Sequence, residues 1–211
     1  MEHLAEPFLV PATSEHRGVL VWRWGTPVSV LSSAPVGGGP GMAEWVLNIG
    51  VRSDYDRTDL SDHASEVAAE VDLRGTGVAM FTAVDLSRRQ RCISGGVVVD
   101  ATVGISHPTW AAKSFSTETP AVGGTINLVV QLPVGLDPGA AVNAVITATE
   151  AKAQALATRG VPGTGTATDA VTIVWPAEAA AERFAGPRSP WGTSIAEAVY
   201  EAVRAGAEPR A

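Results

Sequence analysis

Two acidic residues are the side chains of this sequence best suited to activate a water molecule. Asp169 ends the loop 163–169, in which three threonines and two glycines supply hydroxyls and approachable backbone amides. Glu150 lies in a helical segment, on or beside its apolar face. Two carboxylates can act as general base and acid when their surroundings separate their pKa values. The structural alternatives are an Asp169 that bonds its own backbone and a solvent-facing Glu150 paired with Lys152 or an arginine, and the sequence leaves them open.

Hydroxyl and amide groups near the same segment ends could bind a substrate and hold a developing oxyanion. Thr125 and Asn127 begin a buried run, and the amides of the loop 163–168 could join them. Thr125 could instead be a nucleophile, a variant we do not favour because Gly-Thr is a common dipeptide. For Asn48, among apolar neighbours, the default role is structural. The substrate-binding candidates are Ser32, Ser33, Gly38, Gly39, Asn48, Thr82, Gly124, Asn127, Thr164 and Thr166.

Other catalytic patterns are missing from the sequence. Its four histidines lack the spacing that holds zinc, and no Gly-x-Ser-x-Gly elbow follows a strand. The single cysteine, Cys92, is expected to be a passive thiol because no histidine is placed near it. The glycine-rich stretch 31–41 lacks the Gly-Lys-Ser/Thr of a phosphate-binding loop. No cofactor and no metal site are indicated, although the carboxylates leave a metal requirement open.

The elements that position these groups centre on a strand–helix–strand unit over 125–175. A β-branched run at 125–132 predicts a buried strand, and Asp137-Pro138 is typical of a helix N-terminus. Apolar residues then recur at helical spacing until Gly160, and a second buried strand follows at 170–175. The unit is therefore predicted to be a crossover, with the right-handed sense expected of such connections.

The remaining segments predict further strands and helices around this unit. A hairpin is expected where 18–24 and 28–31 flank Gly25-Thr26-Pro27, and the basic run 87–91 is expected to be a solvated turn. The fold class is α+β or α/β, a single domain with a mixed sheet and a few packed helices. The other predicted elements are strands at 44–51, 78–84 and 95–106, helices within 54–74 and from Ser189 to 203, and a surface loop at 114–120.

Composition limits the classes of partner. The chain has 211 residues, 45% of them hydrophobic and 18% charged, with a net charge of −7. These values predict a globular protein and argue against a general nucleic-acid surface. The lone cysteine, the absence of an apolar run long enough to span a bilayer and the acidic N-terminus predict a cytoplasmic protein. One domain over 1–211 is expected, with 1–15 and 206–211 loosely ordered. The oligomeric state is open, a homo-oligomer included.

Several stretches, taken in order, resemble the adenosylcobinamide amidohydrolase family of corrinoid salvage. No single motif is strong, but the ordered set covers most of the chain. The stretches are LSSAPVGGGPGMAEWVLNIGV (31–51), GVAMFTAVDL (77–86), DATVGISHPTWAA (100–112), GGTINLVVQLP (123–133), AVITATEAKAQAL (144–156), GTGTATDAV (163–171) and AGPRSPWGTSIAEAVYEAV (185–203).

This resemblance implies a hydrolase for a small-molecule corrinoid. The expected reaction cleaves the amide between adenosylcobyric acid and its aminopropanol arm, with Asp169 or Glu150 as general base and Thr125, Asn127 and the loop amides as oxyanion donors. The chain departs from the family pattern at Pro40 and Arg188. These departures motivate the alternative, a corrinoid-binding carrier of the same family that has lost catalysis.

Overall fold

The computed structural model describes residues 4–112 and 124–208, so the surface loop expected at 114–120 lies outside the described residues. Eight of the described strands form one mixed sheet in the order β4-β3-β2-β9-β7-β6-β5, with β1 paired to β2. A separate short pair joins β8 and β10. The strands are β1 (Phe8–Val10), β2 (Val19–Ser32), β3 (Gly39–Gly50), β4 (Gly77–Thr82), β5 (Gln90–Ser94), β6 (Val97–Val103), β7 (Ile126–Gln131), β8 (Gly135–Leu136), β9 (Ala170–Pro176) and β10 (Ala181–Glu182).

The predicted strand–helix–strand unit is confirmed. Strands β7 and β9 are parallel neighbours, and helix α2 (Pro138–Thr158) connects them. Every residue of β7 is buried, which explains its mainly apolar sequence, and Asn127 and Gln131 are the buried polar exceptions. Asp137 occupies the N-cap position of α2 and Pro138 follows it, as the sequence predicts. The α+β class with a mixed sheet is likewise confirmed.

The expected hairpin over residues 18–31 is wrong. These residues form one strand, β2, and both of its halves pair with β3: Val19–Arg23 with Trp45–Ile49 and Val28–Ser32 with Gly39–Ala43. The pairing shifts register between Arg23 and Val28. Gly25-Thr26-Pro27 is therefore an irregularity within a strand, which proline and glycine permit, and not a turn between two strands.

The basic run 87–91 is not a solvated turn either. A short 3-10 helix covers Leu86–Arg88, and β5 begins at Gln90 and pairs with β6. Arg89 and Arg91 both form ion pairs with Asp100, whose side chain is 1% exposed. The buried carboxylate also accepts a hydrogen bond from Trp22 Nε1 at 3.0 Å. The arginines are placed here because a buried carboxylate needs counter-charges.

The sheet curls so that strands far apart in its order touch through their inner faces. Asn48 on β3 donates to Thr102 on β6 at 2.9 Å, and Trp22 on β2 reaches Asp100 on β6. An inner core that includes Trp22, Val30 and Val129 fills the space between the two halves. This curl brings the carboxyl ends of β3 and β4 opposite the amino ends of β7 and β9.

Helices cover the two outer faces of the curled sheet. Helix α1 (Leu60–Glu70) packs Ala64 and Val67 against the half that contains β3 and β4. Helices α2 and α3 (Pro190–Gly206) pack against the half that contains β6, β7 and β9. The predicted capping of α3 is observed, since Ser189 Oγ accepts from the Gly192 amide at 3.1 Å. Among the described residues, β1 is the first strand of the chain and α3 ends at Gly206.

Candidate functional site

A cleft of about 770 Å³ opens where the two halves of the curled sheet face each other. One wall comes from β7, β9 and the loop 163–169 that precedes β9; we call it the Asp169 wall. The opposite wall comes from the end of β4 and the segment 51–60 between β3 and α1; we call it the Tyr55 wall. The lining residues are Ser33, Pro35, Val51, Arg52, Tyr55, Arg57, Leu60, Phe81, Thr82, Ala83, His107, Pro108, Thr109, Gly124, Thr125, Asn127, Ala167, Thr168, Asp169 and Ala170.

Asp169 is held by four hydrogen-bond donors of the protein. Its Oδ1 accepts from the Ile126 amide at 2.9 Å and from Thr166 Oγ1 at 2.5 Å. Its Oδ2 accepts from the Thr166 amide at 3.1 Å and forms an ion pair with Lys152 Nζ. The side chains of Asp169 and Lys152 are only 10% and 8% exposed. The carboxylate therefore ties the loop to β7 and to α2, and little of its acceptor capacity remains for a ligand.

A pair of threonine hydroxyls lies beside this carboxylate. Thr125 Oγ1 and Thr168 Oγ1 are 2.7 Å apart and line the cleft. Gly124 precedes Thr125 with a φ of +93°, and a Cβ at this position would meet the Gly104 carbonyl oxygen at 2.7 Å. Only glycine fits such a left-handed, close-packed position without strain. The backbone that presents Thr125 is thereby fixed.

A chain of buried amides lies beneath the cleft. Asn127 Nδ2 donates to Asn48 Oδ1 at 2.9 Å and to the Phe81 carbonyl at 3.1 Å, and Asn48 donates onward to Thr102. Asn127 Oδ1 is buried and has no hydrogen-bond partner among the described residues. Asn48 therefore orients the Asn127 side chain through a hydrogen bond. This is a supporting role close to the structural one that the sequence predicts for Asn48.

The Tyr55 wall contains an aromatic cluster. Tyr55 Oη lies 2.7 Å from His63 Nδ1, and the rings of both residues pack against Phe81 at centroid distances of 6.0 and 5.6 Å. His63 is 2% exposed, and within the described part of the chain its Nε2 has no hydrogen-bond partner. Burial lowers the pKa of the His63 imidazole, so the ring is neutral at pH 7. Burial also raises the pKa of the Tyr55 phenol.

The two arginines that line the cleft are paired with acids outside it. Arg57 hydrogen-bonds Asp59 and Glu66, and Arg52 bonds Asp54. The hydrogen bond from Arg57 lowers the pKa of Asp59 to about 2. These pairs neutralise the rim, so the polar character of the cleft comes mainly from hydroxyls and amides.

The structure brings some of the sequence candidates together and leaves others elsewhere. Ser33, Thr82, Gly124, Thr125, Asn127 and Asp169 line the cleft. Glu150 does not reach it, since it is exposed on α2. The remaining candidates do not line the cleft.

Two of them bond residues that do: Asn48 bonds Asn127, and Thr166 bonds Asp169. Ser32 bonds Thr172, and Thr164 accepts a hydrogen bond from the Ala111 amide. Gly38 and Gly39 lie where the turn between β2 and β3 ends.

Sequence reasoning missed Lys152, Tyr55 and His63 as members of this site. Lys152 was considered only as a partner of Glu150, whereas it faces Asp169. His63 falls on the same helical face as Leu60, Ala64 and Val67, and this position was the available signal that its imidazole is buried. No sequence signal marks Tyr55, because it lies in a loop. The structure shows no cluster of three or more His, Cys, Asp or Glu residues within 4–112 and 124–208 that could hold a metal ion.

The two departures from the family pattern lie away from the cleft. Pro40 is exposed near the start of β3, where it pairs with Leu31 of β2. Arg188 is exposed just before α3. Neither residue lines the cleft, so neither changes its surface.

Comparisons with known proteins point to one family. A family model described as adenosylcobinamide amidohydrolase matches residues 8–210. A Halobacterium salinarum protein named adenosylcobinamide amidohydrolase is 32% identical over 208 residues, which cover 94% of this chain and 87% of the relative. A Methanosarcina mazei protein of the same name is 28% identical over 187 residues, covering 84% of this chain and 90% of the relative.

In the described ranges, no helix is long and apolar enough to cross a membrane.

Proposed function

The chain belongs to the adenosylcobinamide amidohydrolase family, and we propose that it hydrolyses the amide bond between adenosylcobyric acid and aminopropanol in adenosylcobinamide. Water adds to the amide carbonyl carbon, the carbon–nitrogen bond breaks, and the nitrogen leaves as the amine of aminopropanol or of its phosphate. The corrinoid acid that remains is a precursor that returns scavenged corrinoid to cobalamin synthesis.

One observation supports the cleft as the place of this reaction. Stretches of the sequence that resemble the family, although separated along the chain, meet in the cleft. Five of these stretches line it. Ser33 and Pro35 come from stretch 31–51, and Phe81 and Thr82 come from 77–86. The others are His107 and Pro108 from 100–112, Thr125 and Asn127 from 123–133, and Thr168 and Asp169 from 163–171.

The chemistry of the cleft suits a corrinoid side arm. Val51, Leu60, Phe81 and Pro108 give apolar surface for the ring edge. Hydroxyls and amides along the Asp169 wall can bond the amide groups that surround a corrin. Because both cleft arginines are already paired, the groups available to a ligand are mainly neutral hydroxyls and amides, which suit an amide-bearing ligand.

We assign different roles to the candidate catalytic residues. Thr125 and Thr168 bond the scissile amide or the attacking water, since their hydroxyls line the cleft 2.7 Å apart. Asp169 anchors the loop that carries Thr168, because four donors already engage its carboxylate. Glu150 has no part in this assignment, since it is exposed on α2.

The proposal is tested by incubating the purified, metal-stripped protein with adenosylcobinamide and measuring adenosylcobyric acid by chromatography. Product without added metal supports hydrolysis by protein groups alone. Product only after a divalent metal is restored assigns a metal to the reaction. Binding of the corrinoid without product under either condition contradicts the proposal and favours a carrier.

A matched pair of variants locates the reaction in the cleft. Thr125→Val removes a cleft hydroxyl and is expected to lower kcat/KM by about tenfold or more, in line with the loss of one or two hydrogen bonds. Thr149→Val makes the same change on the exposed side of α2, where Oγ1 bonds only its own helix at Val145, and is expected to leave kcat/KM unchanged. Equal effects of the two changes would place the reaction elsewhere.

A further inference from the structure

Tyr55 presents a phenol hydroxyl on its wall of the cleft, and its partner His63 determines how that hydroxyl is used. The imidazole is neutral because it is buried, so it carries a single N–H. Its Nδ1 lies 2.7 Å from Tyr55 Oη, while its Nε2 is buried without a hydrogen-bond partner among the described residues. A proton on Nε2 would be a buried donor with no acceptor, which is unfavourable.

The favourable tautomer therefore has the proton on Nδ1. In this tautomer His63 donates to Tyr55 Oη, and the Tyr55 O–H is left to donate to something else. Tyr55 lines the cleft, so its hydroxyl can be directed there. The Phe81 ring stacks on Tyr55 with an interplanar angle of 20° and limits the orientations that the phenol can adopt.

Tyr55 is also linked to the groups of the opposite wall. The Phe81 carbonyl accepts from Asn127 Nδ2 of β7, and Thr125 immediately precedes that strand. Tyr55, Thr125 and Thr168 all line this one cleft. A bound amide can therefore contact the threonine hydroxyls while its carbonyl oxygen accepts a hydrogen bond from the Tyr55 phenol.

We propose that Tyr55 is a catalytic residue that donates a hydrogen bond to the oxygen of the scissile amide, and that His63 is its positioning residue. This inference rests on the proposed function. As water adds to the carbonyl carbon, negative charge grows on the oxygen, and a donor already positioned in the cleft stabilises that charge. Tyr55 keeps its proton throughout, and the leaving nitrogen obtains its proton from the attacking water.

The test compares Tyr55→Phe with Tyr200→Phe in the adenosylcobinamide assay. Tyr200 is a matched control because it lies on α3, where its hydroxyl bonds Thr158. Loss of one oxyanion donor is expected to lower kcat about 10²–10³-fold. KM should change little and the Tyr200→Phe variant should match the wild type. A Tyr55→Phe variant with full kcat, or with only a raised KM, overturns the inference.

The role of His63 is tested by His63→Asn and His63→Leu, with urea unfolding of each to confirm that it folds. Asparagine can place an amide N–H near the former Nδ1 and still orient Tyr55, whereas leucine cannot. We expect kcat to fall in both, with the asparagine variant retaining at least tenfold more than leucine. If both variants keep wild-type kcat, His63 does not position Tyr55.

A pH profile separates donation from proton transfer. A donating Tyr55 keeps its proton, because burial raises the pKa of its phenol. Its partner keeps the Nδ1 proton on either side of its own pKa, so kcat should show no acid limb that depends on His63. The charged and titratable groups around His63 are Arg57, Asp59, Glu66 and His16. An acid limb present in the wild type and absent in His63→Asn would overturn donation in favour of a proton relay.

The wild-type assay separates failure of this inference from failure of the proposed function. If the wild-type protein itself releases no product, the proposed function is refuted, and this inference with it. If only the variants behave differently from the expectation, the inference alone is refuted.

Discussion

The two walls of the cleft use polar groups in opposite ways. On the Asp169 wall the carboxylate has four protein donors and the hydroxyls of Thr125 and Thr168 bond each other. On the Tyr55 wall the imidazole of His63 keeps one nitrogen without a partner in the described part of the chain. On the Asp169 wall the carboxylate is therefore occupied by the protein, and the groups that can bond a ligand are the hydroxyls of Thr125 and Thr168. On the Tyr55 wall His63 does not line the cleft, and the group that can bond a ligand is the Tyr55 hydroxyl.

The largest effect is expected where the Asp169 wall loses its cation. Lys152→Met leaves the Asp169 carboxylate 10% exposed without its counter-charge. Breaking a buried pair in this way costs about 3–5 kcal/mol, and the three remaining donors place this case at the lower end. Urea unfolding measures the loss. The double variant Lys152→Met/Asp169→Asn should recover part of it, and a double variant no better than the single one would show that the two side chains are not coupled.

A smaller effect is expected at the backbone that presents Thr125. Gly124→Ala puts a Cβ on a residue with φ +93°, within 2.7 Å of the Gly104 oxygen and 2.9 Å of the Ser106 nitrogen. The strain should cost about 1–3 kcal/mol in thermal or urea unfolding and lower kcat/KM by displacing Thr125. Gly139→Ala is the control, because it lies in the first turn of α2 with open space around it and should be neutral or slightly stabilising. Equal stability of the two variants would contradict a rigid Asp169 wall.

The Tyr55 wall should show itself in the pH dependence of stability. Burial lowers the pKa of His63 in the folded protein below its unfolded value near 6.5. Below pH 6.5 the unfolded chain therefore binds the proton more readily, and the free energy of unfolding falls as pH falls, by at most about 1.4 kcal/mol per pH unit. Urea titrations from pH 8 to 5 measure this slope. In His63→Asn the contribution should vanish, and an unchanged slope in that variant would place the titration elsewhere.

The smallest effect is expected at Glu150. Glu150→Gln changes an exposed side chain on α2 that does not reach the cleft. Its stability should stay within about 0.5 kcal/mol of the wild type, and its kcat/KM should be unchanged. A large loss of kcat would restore Glu150 as a catalytic acid or base and would break the contrast between the walls.

Local sequence patterns predicted the parts of the fold that local physics controls. The strand at 125–132, helix α2 with its Asp137-Pro138 start and the capped helix α3 all follow from burial periodicity and capping chemistry. The hairpin at 18–31 failed because Gly25-Thr26-Pro27 is typical of a turn, while pairing of both flanks with β3 decides the outcome. Tertiary pairing of this kind is not visible in a short window.

The candidate site was predictable only in part for the same reason. Thr125, Asn127 and Asp169 were found because they border strands, and strand ends in such sheets collect ligand-facing groups. The partners that define their roles come from distant segments: Lys152 from α2 and Phe81 from β4. Tyr55 and His63 carry no motif, and only the packing of α1 beside β4 brings them together.

The curl of the sheet has a consequence for how the protein acquires its site. The amide chain beneath the cleft joins Asn48 to Asn127, 79 positions apart in sequence, and Asn48 to Thr102, 54 apart. Contacts between such distant segments require the closure of long loops, which has an entropic cost and is typical of slowly folding domains. The cleft is therefore complete only when the two halves of the sheet have closed on each other. A ligand that bridges the halves binds only the finished fold, and so it protects the whole chain against unfolding by a free energy that rises with the logarithm of its concentration once that exceeds Kd.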